Sequence, residues 1–434
     1  MKPVARILVV LTACALWLTS CDAAANRSDS GETATYASLM QDVLINADYW
    51  EDEPRILGAG LGFTNINGVP FFDSAPESTA EAIVRAAGGP WNKLDCGETT
   101  PAIADHTSAA TPQQVAIAFG KPAFFAAGFP VEFSWPVLLS SVDAGDFDVT
   151  LNNGSVVKPV VASGYPNFEY NERSTIVLFG QFGNRYDPGA DPDKALYPVS
   201  LEIVDDDTPL MLAGPGGRTQ SAVGMSFGAP GDALTAYKAG NGPTLVAAKL
   251  SKMSTKGEGA PSAFSGDLPN DGVALYGDEA QYRLRMLTSG GFSPDGVLGM
   301  LPTEFGRYFR IRLETDAGDE MWISDTNEHD VDGHAIRVVG LADLGLAAGG
   351  DVVYDDCYGE DGDNQIDIVL AGDEAAMRLV THIEIPAAAP LDVLYNPGGP
   401  GNDPTPGVTY SNPTPYELQE VTIALDDPKT VTYP

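Results

Sequence analysis

Short segments whose apolar residues recur at every second position limit the fold more than any other feature of this sequence. Phe129, Val131, Phe133 and Trp135 alternate in FPVEFSW. Phe147, Val149 and Leu151 alternate in DFDVTLNNGS, where Asn153-Gly154 signals a tight turn ahead of VVKPVV; STIVLFGQF and YPVSLEIV follow. Farther on, QYRLRML sets Tyr282, Leu284 and Met286 against Arg283 and Arg285, and YFRIRLET sets Phe309, Ile311 and Leu313 against Arg310, Arg312 and Glu314. Period two sends successive side chains to opposite faces of a strand, so these segments read as half-buried antiparallel strands. The 47 glycines and 33 prolines scatter at strand ends without a fixed-period repeat, and strands do not alternate regularly with helices. The expected fold is mainly β, with two or three antiparallel β-sandwich-like domains, and a doubly wound α/β fold is disfavoured.

One short amphipathic helix is expected near the N-terminus. Ser74-Ala75-Pro76-Glu77 reads as a capping box with proline in the first turn; Ala80, Ile83, Val84 and Ala87 follow at helical spacing, and Gly88 ends the run.

The first 21 residues, MKPVARILVVLTACALWLTSC, carry Lys2 and Arg6 ahead of an apolar run from Ile7 to Leu18, the pattern of an export signal. Its end, Leu18-Thr19-Ser20-Cys21, resembles the lipobox of bacterial lipoproteins. That resemblance implies cleavage before Cys21, a lipid on that cysteine and a membrane-anchored protein of the cell envelope, periplasmic or at the cell surface. Cleavage at Ala23-Ala24-Ala25 would instead release a soluble secreted protein. In the lipidated form the body retains Cys96 and Cys357, which an oxidising compartment permits to pair.

The chain divides into a signal peptide (1–20), a lipidated tether (21–45), a mixed segment (46–114), a β-sandwich (115–205) and a C-terminal β-rich region (206–434). FSWPV (133–137) followed by DFDVTLNNG (146–154) resembles bacterial immunoglobulin-like surface domains, which implies an immunoglobulin-like sandwich over residues 115–205.

Asp and Glu outnumber Lys and Arg 60 to 24, a formal net charge of -36. Such an excess repels a phosphate backbone, so nucleic-acid binding is not expected, and cations are the natural partners. Asp355, Asp356, Glu360, Asp361, Asp363 and Asp367 crowd YDDCYGEDGDNQID, with no Lys or Arg between Arg337 and Arg378. Hard oxygens in an irregular loop suit calcium, the expected cofactor if the loop is packed; otherwise these carboxylates are solvated surface. An alternative metal set, Asp325, His329, Asp330, Asp332 and His334, mixes imidazole and carboxylate but lacks the HExxH helix spacing, and its Asp-Gly points to a hairpin turn. Arg283, Arg285, Arg307, Arg310 and Arg312 could gather into an anion-binding patch or pair with cross-strand acids. Gly224-Met225-Ser226-Phe227-Gly228 fits the nucleophile-elbow pattern, yet GAPGDAL follows it where a helix should begin. These features favour a lipid-anchored envelope protein that binds a ligand or partner. The alternatives are an exported hydrolase centred on His329/His334 or Ser226, and a purely structural envelope component.

Overall fold

The computed structural model describes residues 35–434 except 63–64, 98–99, 184–195, 229–243, 265, 269, 292, 295, 344–353, 359–363, 387–390 and 393–417. Cys21 and the expected signal peptide therefore lie outside the described residues. The fold is mainly β, in several antiparallel sheets and one curled, mixed half-barrel.

Two four-stranded sheets build the N-terminal half. One runs in the order β2 (Ile56–Ala59), β3 (Ala127–Phe133), β7 (Thr175–Gly180), β6 (Val161–Ser163). The other runs β11 (Ser226–Gly228), β8 (Pro198–Ile203), β4 (Phe147–Leu151), β5 (Val156–Val157). Phe129, Val131 and Phe133 of β3 and Ile176 and Leu178 of β7 share one core with Phe147 and Val149 of β4 and Leu201 of β8, so the sheets enclose a common apolar layer. The alternation read in the sequence thus fills the space between them. Asn153-Gly154 makes the expected turn between β4 and β5, with Gly154 at φ 83 where a side chain would be strained. Sheet membership crosses the expected boundaries at 115 and 205, since β2 precedes the first and β11 follows the second.

The expected helix is α1 (Glu77–Ala87), closed by Gly88 in the left-handed conformation and packed through Ala80 and Val84 on Ile66, Phe72 and Trp91. Its capping box does not form. Pro76 occupies the N-cap and makes no side-chain hydrogen bond, because Ser74 stands two residues too early. A second helix, α2 (Pro112–Phe119), was not expected in a segment read as strand. Thr111 accepts from the Gln114 amide while the Gln114 side chain accepts from the Thr111 amide, the reciprocal cap that the sequence T-P-Q-Q encodes.

The C-terminal half holds a six-stranded sheet in the order β18 (His329–Val331), β19 (His334–Ala342), β20 (Gln365–Gly372), β15 (Tyr282–Thr288), β12 (Leu245–Lys252), β23 (Thr422–Ile423). The β12–β23 pair is parallel and the others antiparallel. A four-stranded sheet, β17 (Glu320–Ile323), β16 (Arg310–Glu314), β21 (Val380–Glu384), β22 (Gln419–Glu420), shares its core: Leu284, Met286, Ile366 and Ile368 meet Ile311, Leu313 and Ile383. Small hairpins β9 (Met211–Ala213) with β10 (Thr219–Ser221), and β13 (Glu258–Gly259) with β14 (Asp267–Leu268), complete the sheets. Finally β1 (Leu44–Asp48) pairs with β24 (Thr430–Tyr433), joining the two ends of the described chain.

Strand β15 departs from the half-buried expectation. Arg283 is 9% exposed and Arg285 0%, so both faces of the strand are buried. The covering layer is the N-terminal half: Trp50 and Leu57 pack on Ala247 and Leu287, and Asp48 and Glu172 meet the arginines. This seam is where buried polarity concentrates.

Cys96 and Cys357 form a disulfide with Cα atoms 5.2 Å apart, tying the segment after α1 to the C-terminal half. The expected pairing is present, and such a bridge belongs to an extracytoplasmic protein. Among the described residues no helix is long and apolar enough to cross a membrane.

Candidate functional site

Two features meet at the seam. The first is a buried ionic cluster on the face of the six-stranded sheet turned away from its apolar core. Period two on β12, β15 and β20 sends Leu250, Leu284 and Ile368 into that core and Lys249, Arg285 and Asp367 out of it. Arg285 faces its register partner Asp367, donates from Nε to Oδ1 at 2.8 Å, and reaches Asp343 and Glu172 at 2.5 Å each. Arg283 adds contacts to Asp48 at 3.4 Å and Glu258 at 3.8 Å. Lys249 pairs with Asp48 and donates to the Lys429 carbonyl at 2.9 Å. Arg173 lies fully buried nearby, its guanidinium held by the backbone carbonyls of Glu169, Leu39, Gln41 and Phe168.

Acids crowd the bases here: Asp48, Glu172, Glu258, Asp343 and Asp367 contact Lys249, Arg283 or Arg285, and Glu169 stands beside Glu172 and Asp343. Burial opposes ionisation of Asp48, but Lys249, Arg283 and Arg285 outweigh it and hold the carboxyl below its usual range. For Asp343 and Glu258 burial wins over the arginines, and both are pushed up. Glu169, Glu172 and Asp343 bring carboxylate oxygens within 4.8 Å of one another, a buried acidic triad that could hold a metal ion.

The second feature is a cavity of about 620 Å³ beside this cluster. Its floor is the other face of the sheet containing β3 and β7: Gly128 and Pro130 alternate with core residues on β3, and Thr175, Val177 and Phe179 do so on β7. Helix α2 supplies Val115, Ala118 and Phe119, and Ser289, Gly290 and Asn364 close it from the C-terminal half. Tyr165, Phe168 and Phe264 form an aromatic triangle in the wall, with ring centroids 5.6–6.4 Å apart. Asn364 is a hub: its Oδ1 accepts from Asn167 Nδ2 at 3.0 Å and Thr175 Oγ1 at 3.2 Å, and its Nδ2 donates to the Thr288 carbonyl at 2.7 Å. Next along the β3 face stands Glu132, fully buried, whose Oε1 lies 3.5 Å from Asn364 Nδ2 and whose Oε2 has no hydrogen-bond partner. Burial pushes its carboxyl up to about 8.

The residues singled out by sequence are dispersed. Glu360, Asp361 and Asp363 lie outside the described residues. Asp355 and Asp356 accept from the Cys357 and Asp95 amides around the disulfide. Asp367 belongs to no loop; it is on β20 and is neutralised by Arg285, so the absence of basic residues nearby in sequence did not describe its surroundings. His329 Nε2 meets Asp325 at 2.8 Å, Asp330 accepts from the Gly333 amide, Asp332 accepts from the Asp316 amide, and Asp332-Gly333 makes the hairpin turn. His334 is 46% exposed at the start of β19. The five arginines do not form one patch. Arg283 and Arg285 are in the seam, Arg310 pairs with Glu384 across the strand, Arg312 with Glu320, and Arg307 with Glu304 and Asp392. Ser226 is exposed on the edge strand β11, and the chain that follows Gly228 lies outside the described residues.

Glu169, Glu172 and Asp343 were not found from the sequence. Their only local signal is that FEYNERS carries two acids and an arginine between segments rich in apolar residues. No family model, curated protein or solved structure matches this chain.

Proposed function

We propose that this is an envelope-anchored binding protein, held by a lipid on Cys21, that takes a small ligand into the seam cavity and a structural calcium ion at the acidic triad. The cavity carries the binding reading. It is built from both halves of the chain, its size falls within the range of small-molecule sites, and among the described residues no nucleophile–base pair lines it. Ser226 and His329, the centres of the hydrolase alternative, lie elsewhere. Calcium is supported by the convergence of Glu169, Glu172 and Asp343, whose buried carboxylate oxygens lie within 4.8 Å of one another. The lipid anchor is supported by Leu18-Thr19-Ser20-Cys21 and agrees with the disulfide.

Native mass spectrometry of protein extracted in detergent tests this reading. The expected result is acyl mass on the Cys21 peptide and a co-purifying small molecule that is chemically unchanged after incubation. A free N-terminus beyond Cys21 would overturn the anchor, and turnover of the bound molecule would overturn the binding reading.

A further inference from the structure

We infer that the seam cavity selects an uncharged, mainly apolar small molecule; this rests on the binding reading above and names its ligand class. In a chain with 60 acidic and 24 basic residues, no Asp, Glu, Lys, Arg or His lines the cavity among the described residues. Against the described wall a charged ligand would leave water without gaining a counter-ion, and an unpaired buried charge is the costliest group to transfer. The ionic cluster begins immediately behind this wall, two residues beyond Asn167 at Glu169 and three beyond Asn364 at Asp367. Among the described residues, amides and not ions face the cavity.

Those amides and hydroxyls are largely engaged with the protein itself. Besides the Asn364 hub, Thr107 Oγ1 donates to the Pro90 carbonyl at 2.7 Å, Ser108 Oγ to Gly296 at 2.5 Å and Ser293 Oγ to Leu298 at 2.5 Å. Asn67 Nδ2 donates to Ala126 at 3.1 Å, and Ser289 Oγ accepts from the Thr244 amide at 3.1 Å. A ligand rich in hydroxyls or amides would give up its hydration for few new partners, which costs more than it returns. What the wall offers freely is apolar and aromatic surface: Val115 and Phe119 from α2, Val177 from β7, and the triangle of Tyr165, Phe168 and Phe264. Val177 sits on a central strand yet is only half-buried, because one side of it faces the cavity. Burial of ligand surface here is driven by the hydrophobic effect, with selectivity set by shape and by exclusion of charge.

Two fluorescent probes that share a skeleton separate these terms: uncharged phenylnaphthylamine and its sulfonated analogue anilinonaphthalenesulfonate. With the full chain and its disulfide intact, the expected result is single-site enhancement by the neutral probe, with binding of the sulfonate about tenfold weaker or worse. Dodecanol should displace the neutral probe and dodecanoate should do so at least about tenfold less well. Val177→Trp and, independently, Ile117→Trp, at another lining position on α2, should each fill the cavity and abolish probe binding; the second variant keeps the test valid if the first perturbs β7. Tighter binding of the sulfonate, lost in the same variants, would overturn the ligand class while leaving the binding reading intact. Failure of both probes, with no co-purifying molecule, would overturn both. Neutral-probe binding that survives both tryptophans would place the apolar site elsewhere and overturn this assignment.

Discussion

Arg285 and Asp367 are register partners on β15 and β20, and their side chains form an ion pair at 2.8 Å with the arginine fully buried. The same guanidinium also reaches Glu172 and Asp343, so one side chain from the C-terminal sheet offsets acids from both halves of the molecule. Removing it strands several carboxylates in a low dielectric.

Arg285→Met should therefore destabilise the fold by about 3–5 kcal/mol, the usual loss when one partner of a buried ion pair is deleted. Arg285→Lys should restore little of it, since an ammonium cannot fork between carboxylates as a guanidinium does. Urea unfolding followed by tryptophan fluorescence measures both. A loss below about 1 kcal/mol would show that the cluster relaxes into water.

Calcium should raise the melting temperature at fixed ionic strength. An ion bound only by the native state adds about 2.7 kcal/mol at a hundredfold excess over its dissociation constant. Glu169→Gln should remove most of that gain while leaving the Arg285 contacts in place. Magnesium should act more weakly, because it demands tighter octahedral geometry. An unchanged melt in calcium and in chelator would sink the metal reading.

Stability should fall as pH rises from about 4.5 to about 8 through Glu132. In that window the folded chain keeps a proton that the unfolded chain has already released, so raising the pH favours unfolding until both states are ionised. The full effect is bounded by about 5 kcal/mol. Glu132→Gln keeps a neutral donor and acceptor beside Asn364 and should flatten this part of the profile. Asp146, pushed up to about 7 by burial, and the raised carboxyls of Asp343 and Glu258 supply a residual slope of the same sign. Equal slopes for Glu132→Gln and the parent protein would remove Glu132 as the cause.

Replacing Cys96 and Cys357 together by serine should cost up to about 5 kcal/mol, because the bridge spans 261 residues and closes a long loop in the unfolded chain. Thiol labelling of the oxidised parent protein should find neither cysteine reactive. Labelling of both in folded, oxidised protein would refute the bridge.

Strand content was legible because Phe129, Val131 and Phe133 obey a local rule that packing then respects. The turns at Asn153-Gly154 and Asp332-Gly333 were legible for the same reason: left-handed backbone has few suitable residues. Arg283 and Arg285 obey the same alternation, yet their face is covered by a layer folded from residues more than a hundred positions earlier, and no local pattern carries that information. The acidic triad failed to appear for a like reason. Glu169 and Glu172 sit in one connection and Asp343 follows β19, and only tertiary approach brings them together. Ser74 and Thr111 both begin cap-like motifs, and the difference lies in phase: Thr111 stands immediately before a proline at the first helical position, whereas Ser74 has Ala75 between it and Pro76.

The pairing of β1 with β24 has a kinetic consequence. Asp48 is carried on β1, and that strand finds its partner only when residues 430–433 are available. That pairing is a contact nearly four hundred residues long in sequence, among the slowest kinds to form. Closure of the seam through Asp48 is therefore expected to follow the antiparallel pairings within each sheet, such as β15 with β20, which join residues closer in sequence.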